Sequence, residues 1–552
     1  MKDLGHEARP FYIFHPALLT LVMAATLLRL ALSLYFPRVL KMDESAYLLL
    51  GHNLLAGNGY TYTGFPELHF PPLHPLFLGL LSFVTTDLEM AGNLENAIFG
   101  GLLLLPVFSI ALRIYGLQTA WLTIILLVLF PPLTAGVLYW GSMSEAPFLF
   151  LLFLAFALFL TALDSERRWM FPVAGGVLGL AYLTREEAIA FFGALLIFAL
   201  FWLWTDGKHL SRRVWHALGL FALSFLLVVA PYLWYLHFHT GQWMISGKLR
   251  ISWNAGSTDK GKNGGRIYEG LDSSGVEINW LSKERFQGNL LSDVIAHPSD
   301  LVNRVFRHAG SLKENLFSRT NFWWGLLPLV ILGLFKQSWS RQRLRYEAFL
   351  LTIIAVLLVA FLPFGFVVRY FAPAFPILLT WTARGALELG RWLQETVIVA
   401  GGVSFSNQCV QAGLGWFPAG IAVVALCLTI PVTAERAISG TPFGDKEAGR
   451  WLKTHIPDDG KVMAQDVAVA IYSGRGWVPS PNTDWIRFKE YAMTHGARYL
   501  VVSDYLLEEY RPELASVVRN GAPELELIFT FEDTHLPQKI TTFIYRLVKP
   551  HE

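Results

Sequence analysis

Long runs of apolar residues recur along this chain, and they constrain its fold more than any other feature. A helix that crosses a bilayer needs about 20 largely apolar residues. Runs of that kind lie near positions 15–36, 96–115, 119–139, 146–163, 187–205, 214–237, 346–367, 371–387 and 414–432. Shorter runs near 171–184 and 321–336 bring the predicted number of spans to about eleven. The apolar segment after Pro75 is too short to cross, so we predict an interfacial or re-entrant helix there.

The composition agrees with a protein that crosses the membrane many times. Of the 552 residues, 54% are hydrophobic and 16% are charged, whereas soluble domains carry about 25% charged residues. The net charge of +2 is too small to indicate a nucleic-acid partner. The two cysteines lie in or beside apolar sequence, so no disulfide framework is predicted. No small-residue cleavage site follows the first apolar run, which therefore indicates a retained helix rather than a signal peptide.

The positive charges assign each loop to a side of the membrane. Lys and Arg favour cytoplasmic loops, and about eleven spans place four basic clusters and the amino terminus on one side. These clusters are Arg167/Arg168, Lys208/Arg212/Arg213, Arg341/Arg343/Arg345 and Arg384/Arg391. The other, extracytoplasmic side then receives residues 37–95, the turns near 140–145, 184 and 368–370, the segment 240–320, and everything after position 433.

Two of the extracytoplasmic regions are large enough to have a structure of their own. Residues 240–320 are polar, and "AGSTDKGKNGG" predicts a flexible, glycine-rich tip. The tail alternates helices such as "DKEAGRWLKTHI" and "DWIRFKEYAMTHG" with strands such as "ARYLVVS". We predict an all-α transmembrane domain over residues 1–435, with juxtamembrane helices in its first extracytoplasmic loop, and a small extracytoplasmic α/β domain over 440–552. No dinucleotide or phosphate-loop fingerprint is found in the tail.

Acidic residues recur where predicted spans reach the extracytoplasmic face. Asp43 and Glu44 follow the first span and precede a short helical segment that ends at Gly57. Two carboxylates there either favour the helix dipole or mark a functional path, because a buried carboxylate near lipid is costly. Glu145 lies on the same face, although Ser142 and Glu145 also match an S-x-x-E capping box.

Arginines accompany these acids. Arg185 is left unexplained by a second capping box over residues 184–187, Arg369 and Tyr370 reach the same face, and Arg29 lies inside the first span. A single such arginine is most often an interfacial anchor. Three near one surface indicate an anionic ligand, because the guanidinium fork binds two phosphate oxygens at once. Carboxylates and cations together in a membrane favour a lipid phosphate leaving group and a hydroxyl or amine nucleophile.

Five stretches resemble the bacterial membrane glycosyltransferases of the GT-C superfamily, such as the protein mannosyltransferase-like, aminoarabinose-transferase-like and core-galacturonosyltransferase-like enzymes. They are "MDESAYLLLGHNLLAGNGY", "HFPPLHPLF", "SEAPFLFLLFLAFALFL", "GLAYLTREE" and "RYFAPAFPILL". The order of these motifs matches over residues 10–432. The resemblance implies a sugar donor on a polyprenyl phosphate, transfer at the extracytoplasmic face of the bacterial inner membrane, and an acceptor that is an envelope glycan, glycolipid or protein.

The resemblance also implies roles for the candidate residues. Asp43 would be the general base in an inverting displacement at the anomeric carbon, and Glu44 and Glu145 would shape the acceptor site. In members that use a divalent cation, Glu145 and Asp43 would bind it; no other cofactor is implied. The residues implied in substrate binding are Arg185, Arg369, Tyr370, His69, His74 and Tyr60.

The motif departs from its relatives at two places. Aminoarabinose transferases carry Lys immediately before the PPL sequence, where this chain has Phe70. Protein mannosyltransferases have a basic residue just after it, where this chain has His74 and Pro75. Both departures would follow from an acceptor other than lipid A or a eukaryotic-type protein.

Two other classes of function remain open at this point. A transporter or flippase of lipid-linked sugars would show internal repeats and charges at the membrane midplane. The sequence has no clear repeat, and its ionisable groups cluster towards one face, which favours the enzyme. A receptor whose working part is the tail domain would leave the carboxylates dispensable.

Overall fold

The structure, a computed structural model, describes the greater part of the chain. The described residues are 15–41, 43–61, 63–85, 87–136, 141–164, 167–205, 212–255, 269–286, 290–318, 321–336, 338–365, 368–401, 408–439, 442–534, 536 and 538–548. The predicted glycine-rich tip lies outside them from residue 256 onwards.

Helices dominate the described residues as far as position 439. They are α1 (Pro16–Tyr35), α2 (Asp43–Leu55), α3 (Leu73–Ser82), α4 (Leu88–Leu102), α5 (Leu104–Tyr115), α6 (Leu117–Leu129), α7 (Glu145–Asp164), α8 (Met170–Thr184), α9 (Ala188–Thr205), α10 (Arg212–Thr240), α11 (Leu249–Ala255), α12 (Leu290–Ala296), α13 (Pro298–Leu316), α14 (Leu327–Phe335), α15 (Arg341–Phe361), α16 (Ala374–Gly401) and α17 (Gln408–Ser439). Short π or 3₁₀ turns occur at Pro132–Gly136, Lys283–Phe286, Trp324–Leu326 and Val368–Phe371.

Seven helical stretches of the described chain are long and apolar enough to cross a membrane. They are Pro16–Tyr35, Leu88–Tyr115, Glu145–Asp164, Ala188–Thr205, Val214–Thr240, Arg341–Phe361 and Gly413–Thr433. Shorter apolar helices cover Leu73–Ser82, Leu117–Leu129, Met170–Thr184 and Trp324–Phe335. The predicted helical membrane fold with a small carboxy-terminal sheet is confirmed, whereas the number of about eleven spans remains a prediction.

Close packing holds the central helices together. Gly175 of α8 lies so near the backbone of Phe221 on α10 that a Cβ atom would overlap its carbonyl oxygen. Phe192 of α9 stacks on Phe225 of α10, with 4.1 Å between the ring centroids. Membrane helices depend on such contacts, because lipid gives them little hydrophobic drive to associate. The turn between α8 and α9, which carries Arg185, therefore projects from a tightly packed block.

The two helices of the first loop cross in close contact. A Cβ atom on Gly51 of α2 would overlap the carbonyl oxygen of Pro75 on α3. The predicted short helix before Gly57 is confirmed, since α2 ends at Leu55 and Gly57 has φ +82°, a value that glycine adopts without strain. The segment after Pro75 forms α3, and its placement at the membrane interface remains a prediction.

The tail is a small α/β domain. Its elements are α18 (Gly444–His455), β1 (Lys461–Ala464), α19 (Ala468–Ser473), β2 (Trp477–Pro479), α20 (Trp485–Thr494), β3 (Ala497–Ser503), α21 (Asp504–Glu509), α22 (Pro512–Asn520), β4 (Leu525–Asp533) and β5 (Ile540–Leu547). The strand order is β2-β1-β3-β5-β4. β1 pairs in parallel with β2 and β3, and β5 pairs antiparallel with β3 and β4. The predicted helices and the strand "ARYLVVS" are all present.

The tail domain shares a hydrophobic cluster with the first loop. Leu40, Tyr47 and Leu50 of the loop belong to the same buried cluster as Val467 and Ala468 of the tail. Apolar area removed from water stabilises such a contact by about 25 cal/mol per Å². The tail is therefore packed against the helix that begins at Asp43.

Candidate active site

Four charged residues predicted from the sequence lie together at the ends of four structural elements. Asp43 is the first residue of α2, and Glu145 is the first residue of α7. Arg185 directly follows α8, and Arg369 lies in the 3₁₀ turn Val368–Phe371. Helix termini and turns thus present all four side chains, so the backbone of the surrounding helices fixes where they meet.

The four side chains alternate in charge. Arg369 Nη2 lies 3.2 Å from Asp43 Oδ2, and Arg369 Nε lies 3.8 Å from Glu145 Oε1. Arg185 Nη1 donates to the same Glu145 oxygen over 2.7 Å. Both guanidinium groups lie near the ring of Tyr370. The distance to the ring centroid is 5.5 Å from Arg185 and 5.4 Å from Arg369. Such cation–π contacts stabilise the two cations.

Exposure differs sharply within the cluster. The side chain of Asp43 is 31% exposed, whereas that of Glu145 is 2% exposed. Arg185 and Arg369 are intermediate at 7% and 13%. Asp43 is therefore the more accessible of these two carboxylates, and Arg369 contacts both of them.

Glu187 and Lys248 extend the charge alternation, and neither was predicted to lie in this cluster. Arg185 Nη2 lies 3.1 Å from Glu187 Oε1, which also lies 3.3 Å from Lys248 Nζ. Burial alone would raise the pKa of Glu187, but the charges of Arg185 and Lys248 outweigh it and lower that pKa to about 2. Lys248 comes from the long loop after α10, and its position in a polar stretch gave no sequence signal.

Glu186 holds that loop in place. It accepts hydrogen bonds from the Ser246 hydroxyl, from the backbone N–H of Gly247 over 3.2 Å and from the Tyr232 hydroxyl over 3.2 Å. Burial raises the pKa of Glu186 to about 7. The loop that carries Lys248 is therefore anchored beside the cluster through a buried carboxyl group.

Neither capping box suggested by the sequence is formed. The Ser142 hydroxyl is buried without a hydrogen-bond partner among the described residues, and the Glu145 carboxylate faces Arg185 instead. Thr184 Oγ1 donates back to the carbonyl oxygen of Ala181 over 2.6 Å. Glu145 is thus free of a capping role, and its Oε2 atom is buried with no hydrogen-bond partner among the described residues.

Glu44 lies behind the cluster rather than in it. Its side chain is 1% exposed, pairs with Arg38, and accepts from the backbone N–H of Lys41 over 2.9 Å. It also accepts from the backbone N–H of Ser142 over 2.7 Å. Glu44 therefore joins the start of α2 to the turn that precedes Glu145.

His74 fixes the same turn from another direction. The ring is fully buried, with Nδ1 3.0 Å from Glu95 Oε1 and Nε2 2.7 Å from the Ser142 carbonyl oxygen. Because Nε2 must donate to a carbonyl, the Nδ1–Glu95 contact holds one proton on either the ring or the carboxyl group. Gly141 lies in the same turn. Its φ is +32°, and a Cβ atom there would overlap the Arg38 guanidinium.

The remaining predicted residues lie around the first loop and α15. Tyr60 donates to the carbonyl oxygen of Phe70 over 2.9 Å, and the His69 ring lies edge-on to the Phe70 ring at 4.6 Å. Tyr370 stacks on Phe361 with 5.1 Å between centroids. Arg29 is buried between α1 and α4, against Gly100. Tyr370 thus touches the charged cluster, whereas no contact of Tyr60, His69 or Arg29 with it is described.

The cluster does not fit a bound divalent cation. No group of three or more His, Cys, Asp or Glu side chains is close enough to hold a metal among the described residues. The guanidinium of Arg369 occupies the space between Asp43 and Glu145. A metal bound by these two carboxylates would be repelled by that positive charge.

Comparisons with known proteins give a family match over part of the chain and similar folds over most of it. A family model, dolichyl-phosphate-mannose-protein mannosyltransferase, matches residues 69–235. No curated protein matches the sequence. The structure of ArnT from Cupriavidus metallidurans bound to undecaprenyl phosphate is similar with a TM-score of 0.61 and 12% identity, and the match covers 97% of this chain and 100% of ArnT.

A second similar structure comes from an archaeon. It is the oligosaccharyltransferase AglB from Archaeoglobus fulgidus in complex with an inhibitory peptide and a dolichol-phosphate, with a TM-score of 0.58 and 14% identity. That match covers 94% of this chain and 74% of AglB. Because both identities are this low, the two matches show a shared fold. The two structures show that this chain shares their fold, and the family match over residues 69–235 agrees with the predicted resemblance.

Proposed function

We propose that this protein transfers a sugar from a polyprenyl-phosphate carrier to a hydroxyl-bearing acceptor of the cell envelope, with inversion at the anomeric carbon. The observation that carries the proposal is the alternation of Asp43, Arg369, Glu145 and Arg185, in which the more exposed carboxylate, Asp43, pairs with Arg369. ArnT and AglB, which share the fold, were solved with undecaprenyl phosphate and with a dolichol-phosphate.

The arginines supply the phosphate site. Arg369 and Arg185 each present a planar fork that matches phosphate oxygens, and Tyr370 stabilises both cations from one side. In the proposed complex, the phosphate of the donor lies against Arg369 and takes over part of the interaction that Arg369 makes with Asp43. A negatively charged leaving group is then stabilised where its charge develops.

Asp43 acts as the general base. It accepts the proton of the acceptor hydroxyl while that oxygen attacks the anomeric carbon and the bond from the carbon to the phosphate oxygen breaks. Asp43 loses its negative charge in this step, and the released polyprenyl phosphate gains one. Arg369 can therefore exchange one anionic partner for the other, and the total charge beside it is unchanged.

The remaining predicted residues have supporting roles in this proposal. Glu145 pairs with both Arg185 and Arg369 and so holds the two guanidinium groups in place for the phosphate. Glu44 and His74 act through the turn before Glu145 and make no direct substrate contact, because their side chains are buried and held by other protein groups. We place the cluster at the extracytoplasmic face of the bacterial inner membrane, where the loop charges predict it.

The test uses the purified full chain in lipid nanodiscs with synthetic polyprenyl-phosphate-linked hexoses, pentoses and uronic acids. Total envelope extract supplies the acceptor, and the released polyprenyl phosphate is measured. Asp43→Asn is expected to lower turnover about 10²- to 10⁴-fold, with binding of undecaprenyl phosphate unchanged or tighter. The matched control is Asp164→Asn, because Asp164 pairs with Arg113 away from this cluster.

Two outcomes would contradict the proposal. Full turnover by Asp43→Asn would remove the base assignment. Movement of the lipid-linked sugar across the membrane of proteoliposomes, with no transfer to any acceptor, would favour the transporter instead. Mass spectrometry of envelope glycans from cells with and without the protein would identify the sugar and its acceptor.

A further inference from the structure

Side chains of the tail domain hydrogen-bond the backbone and side chain on both flanks of Asp43. On one side, the backbone N–H of Leu40 donates to the Tyr472 hydroxyl over 3.0 Å. On the other, the Ser45 hydroxyl donates to Asp466 Oδ1 over 2.6 Å. More than 400 residues separate each pair along the chain, so only the docking of the tail domain brings them together.

Lys446 of the tail fixes the start of the same segment. Its Nζ atom donates to the backbone carbonyl oxygen of Arg38 over 2.8 Å and to Glu89 Oε2 over 2.8 Å. The Tyr472 hydroxyl donates to the same Glu89 oxygen over 3.0 Å, and the Lys446 ammonium lies 5.2 Å from the Tyr472 ring. Two tail side chains thus hold Arg38 to Leu40 against α4.

Asp43 lies between these two flanks of tail contacts. Its one described side-chain contact is the pair with Arg369, and it is the most exposed member of the cluster. The position of its carboxylate is therefore set mainly by the backbone at the start of α2. Small displacements of a catalytic group reduce rate strongly, because reactive geometry has to hold within a fraction of an ångström.

We propose that the tail domain is part of the active site, in that Tyr472, Asp466 and Lys446 position Asp43 for proton transfer. This inference rests on the proposed function and adds a role for the tail. The three residues are positioning residues, since no contact of theirs with Asp43 itself is described. The tail then acts through the geometry of α2 and not through the phosphate site.

The contacts of the tail hydroxyl allow a clean substitution. Tyr472→Phe keeps the ring over Lys446 and removes only the hydroxyl that bonds Leu40 and Glu89. Ser45→Ala removes the bond to Asp466 from the other flank. Tyr499→Phe is the matched control, because the Tyr499 hydroxyl donates to Asp458 over 2.6 Å within the tail itself.

The experiment measures steady-state turnover, the affinity for undecaprenyl phosphate and the thermal midpoint of each full-length variant. Tyr472→Phe and Ser45→Ala are each expected to lower kcat about 5- to 50-fold while affinity stays within about twofold. Tyr499→Phe is expected to keep kcat within about twofold. Wild-type kcat in both Tyr472→Phe and Ser45→Ala would overturn the inference, and so would a loss of phosphate affinity that accounts for the whole effect.

Hydrogen exchange separates this inference from the proposed function. If the wild-type protein transfers no sugar from any donor tested, the proposed function fails, and exchange over residues 38–48 decides the positioning role. Faster exchange there in Tyr472→Phe and Ser45→Ala, with no change in Tyr499→Phe, is the result expected if the tail holds the start of α2 in place. Unchanged exchange in both would overturn it, and Ser45→Ala carries the test if Tyr472→Phe does not fold.

Discussion

The carboxylate of Asp43 and the guanidinium of Arg369 lie 3.2 Å apart, although 326 positions separate them in the chain. Asp43 begins α2 and Arg369 lies in a 3₁₀ turn before α16. Asp43 is the more exposed member of this pair, and Arg369 is the more buried one. A lipid phosphate that binds Arg369 must therefore act on Asp43 as well, which couples donor binding to the proposed base.

The first prediction concerns donor affinity. Arg369→Gln is expected to weaken binding of undecaprenyl phosphate about 10- to 100-fold, because hydrogen bonds to charged groups contribute about 1.5–3 kcal/mol. The affinity of Arg369→Lys is expected to lie between those of the wild type and Arg369→Gln, because lysine keeps the positive charge and lacks the planar guanidinium fork. Isothermal titration in nanodiscs measures the affinity. The control is Arg113→Gln, which removes the pair with Asp164, and equal affinity in Arg369→Gln would exclude Arg369 from the phosphate site.

The turn before Glu145 gives a second prediction. Gly141→Ala is expected to destabilise the protein and lower turnover, because the new Cβ would overlap the Arg38 guanidinium that pairs with Glu44. Gly116→Ala is the control: Gly116 has φ +87°, but no atom lies within 4 Å of its Cβ position. Gly116→Ala therefore bears only the conformational cost of its positive φ, about 1–3 kcal/mol. Equal thermal midpoints in the two variants would show that the turn does not need glycine for packing.

The third prediction tests whether His74 positions the turn before Glu145 or contacts the substrate. His74→Phe leaves Glu95 and the Ser142 carbonyl oxygen buried without their described partner, at a cost of about 1–3 kcal/mol each. We expect a lower thermal midpoint and a lower kcat, with affinity for undecaprenyl phosphate retained. The exposed His455→Phe serves as control. A stable His74→Phe protein with weakened donor or acceptor affinity would instead assign His74 to the substrate site.

The fourth prediction is that the stability of the protein depends on pH through Asp445 of the tail. Burial, together with Asp466 and Asp533, raises its pKa from 3.8 to about 7, although Lys41 opposes the shift. The folded protein binds the proton more tightly, so stability falls as pH rises through this interval. Asp445→Asn is therefore expected to gain thermal midpoint over the wild type, more at about pH 8 than at about pH 5. An equal gain at both values would show that Asp445 does not titrate in this window.

The fifth prediction concerns metals. Because Arg369 lies between Asp43 and Glu145, we expect EDTA to leave the initial rate within about twofold. The measurement is turnover of the full chain after dialysis against the chelator, with and without added Mg²⁺ or Mn²⁺. A rate that collapses with EDTA and returns with one of these ions would show that a cation displaces the guanidinium during the reaction.

Local patterns in the sequence predicted much of this protein. Apolar runs and charge asymmetry predicted the helices and placed Asp43, Glu145, Arg185 and Arg369 on one face. Strand and helix periodicity predicted the tail elements, because each element is encoded within about ten neighbouring residues. The proximity of these four residues is observed, and their roles remain proposals.

The spacing of residues alone could not distinguish Asp43 from Glu44, and only the family resemblance gave them different expected roles. Neighbouring residues on a helix point about 100° apart, so one faces the opening and the other faces the turn at Ser142. Which side chain takes which direction depends on how α2 packs against α3, α4 and the tail. For the same reason, no motif predicted that Lys248 would join the charged cluster. No motif predicted that the His74 side chain would be buried behind it.

What the sequence by itself determined is that long apolar helices make up most of the chain and that its tail alternates helices with strands. Only the tertiary structure decided that the charges alternate from Lys248 to Asp43, and that Tyr472 and Ser45 join the tail to the helix of the base. Secondary structure follows from short-range periodicity, whereas ion pairs between distant positions form only where packed helices bring them within a few ångströms.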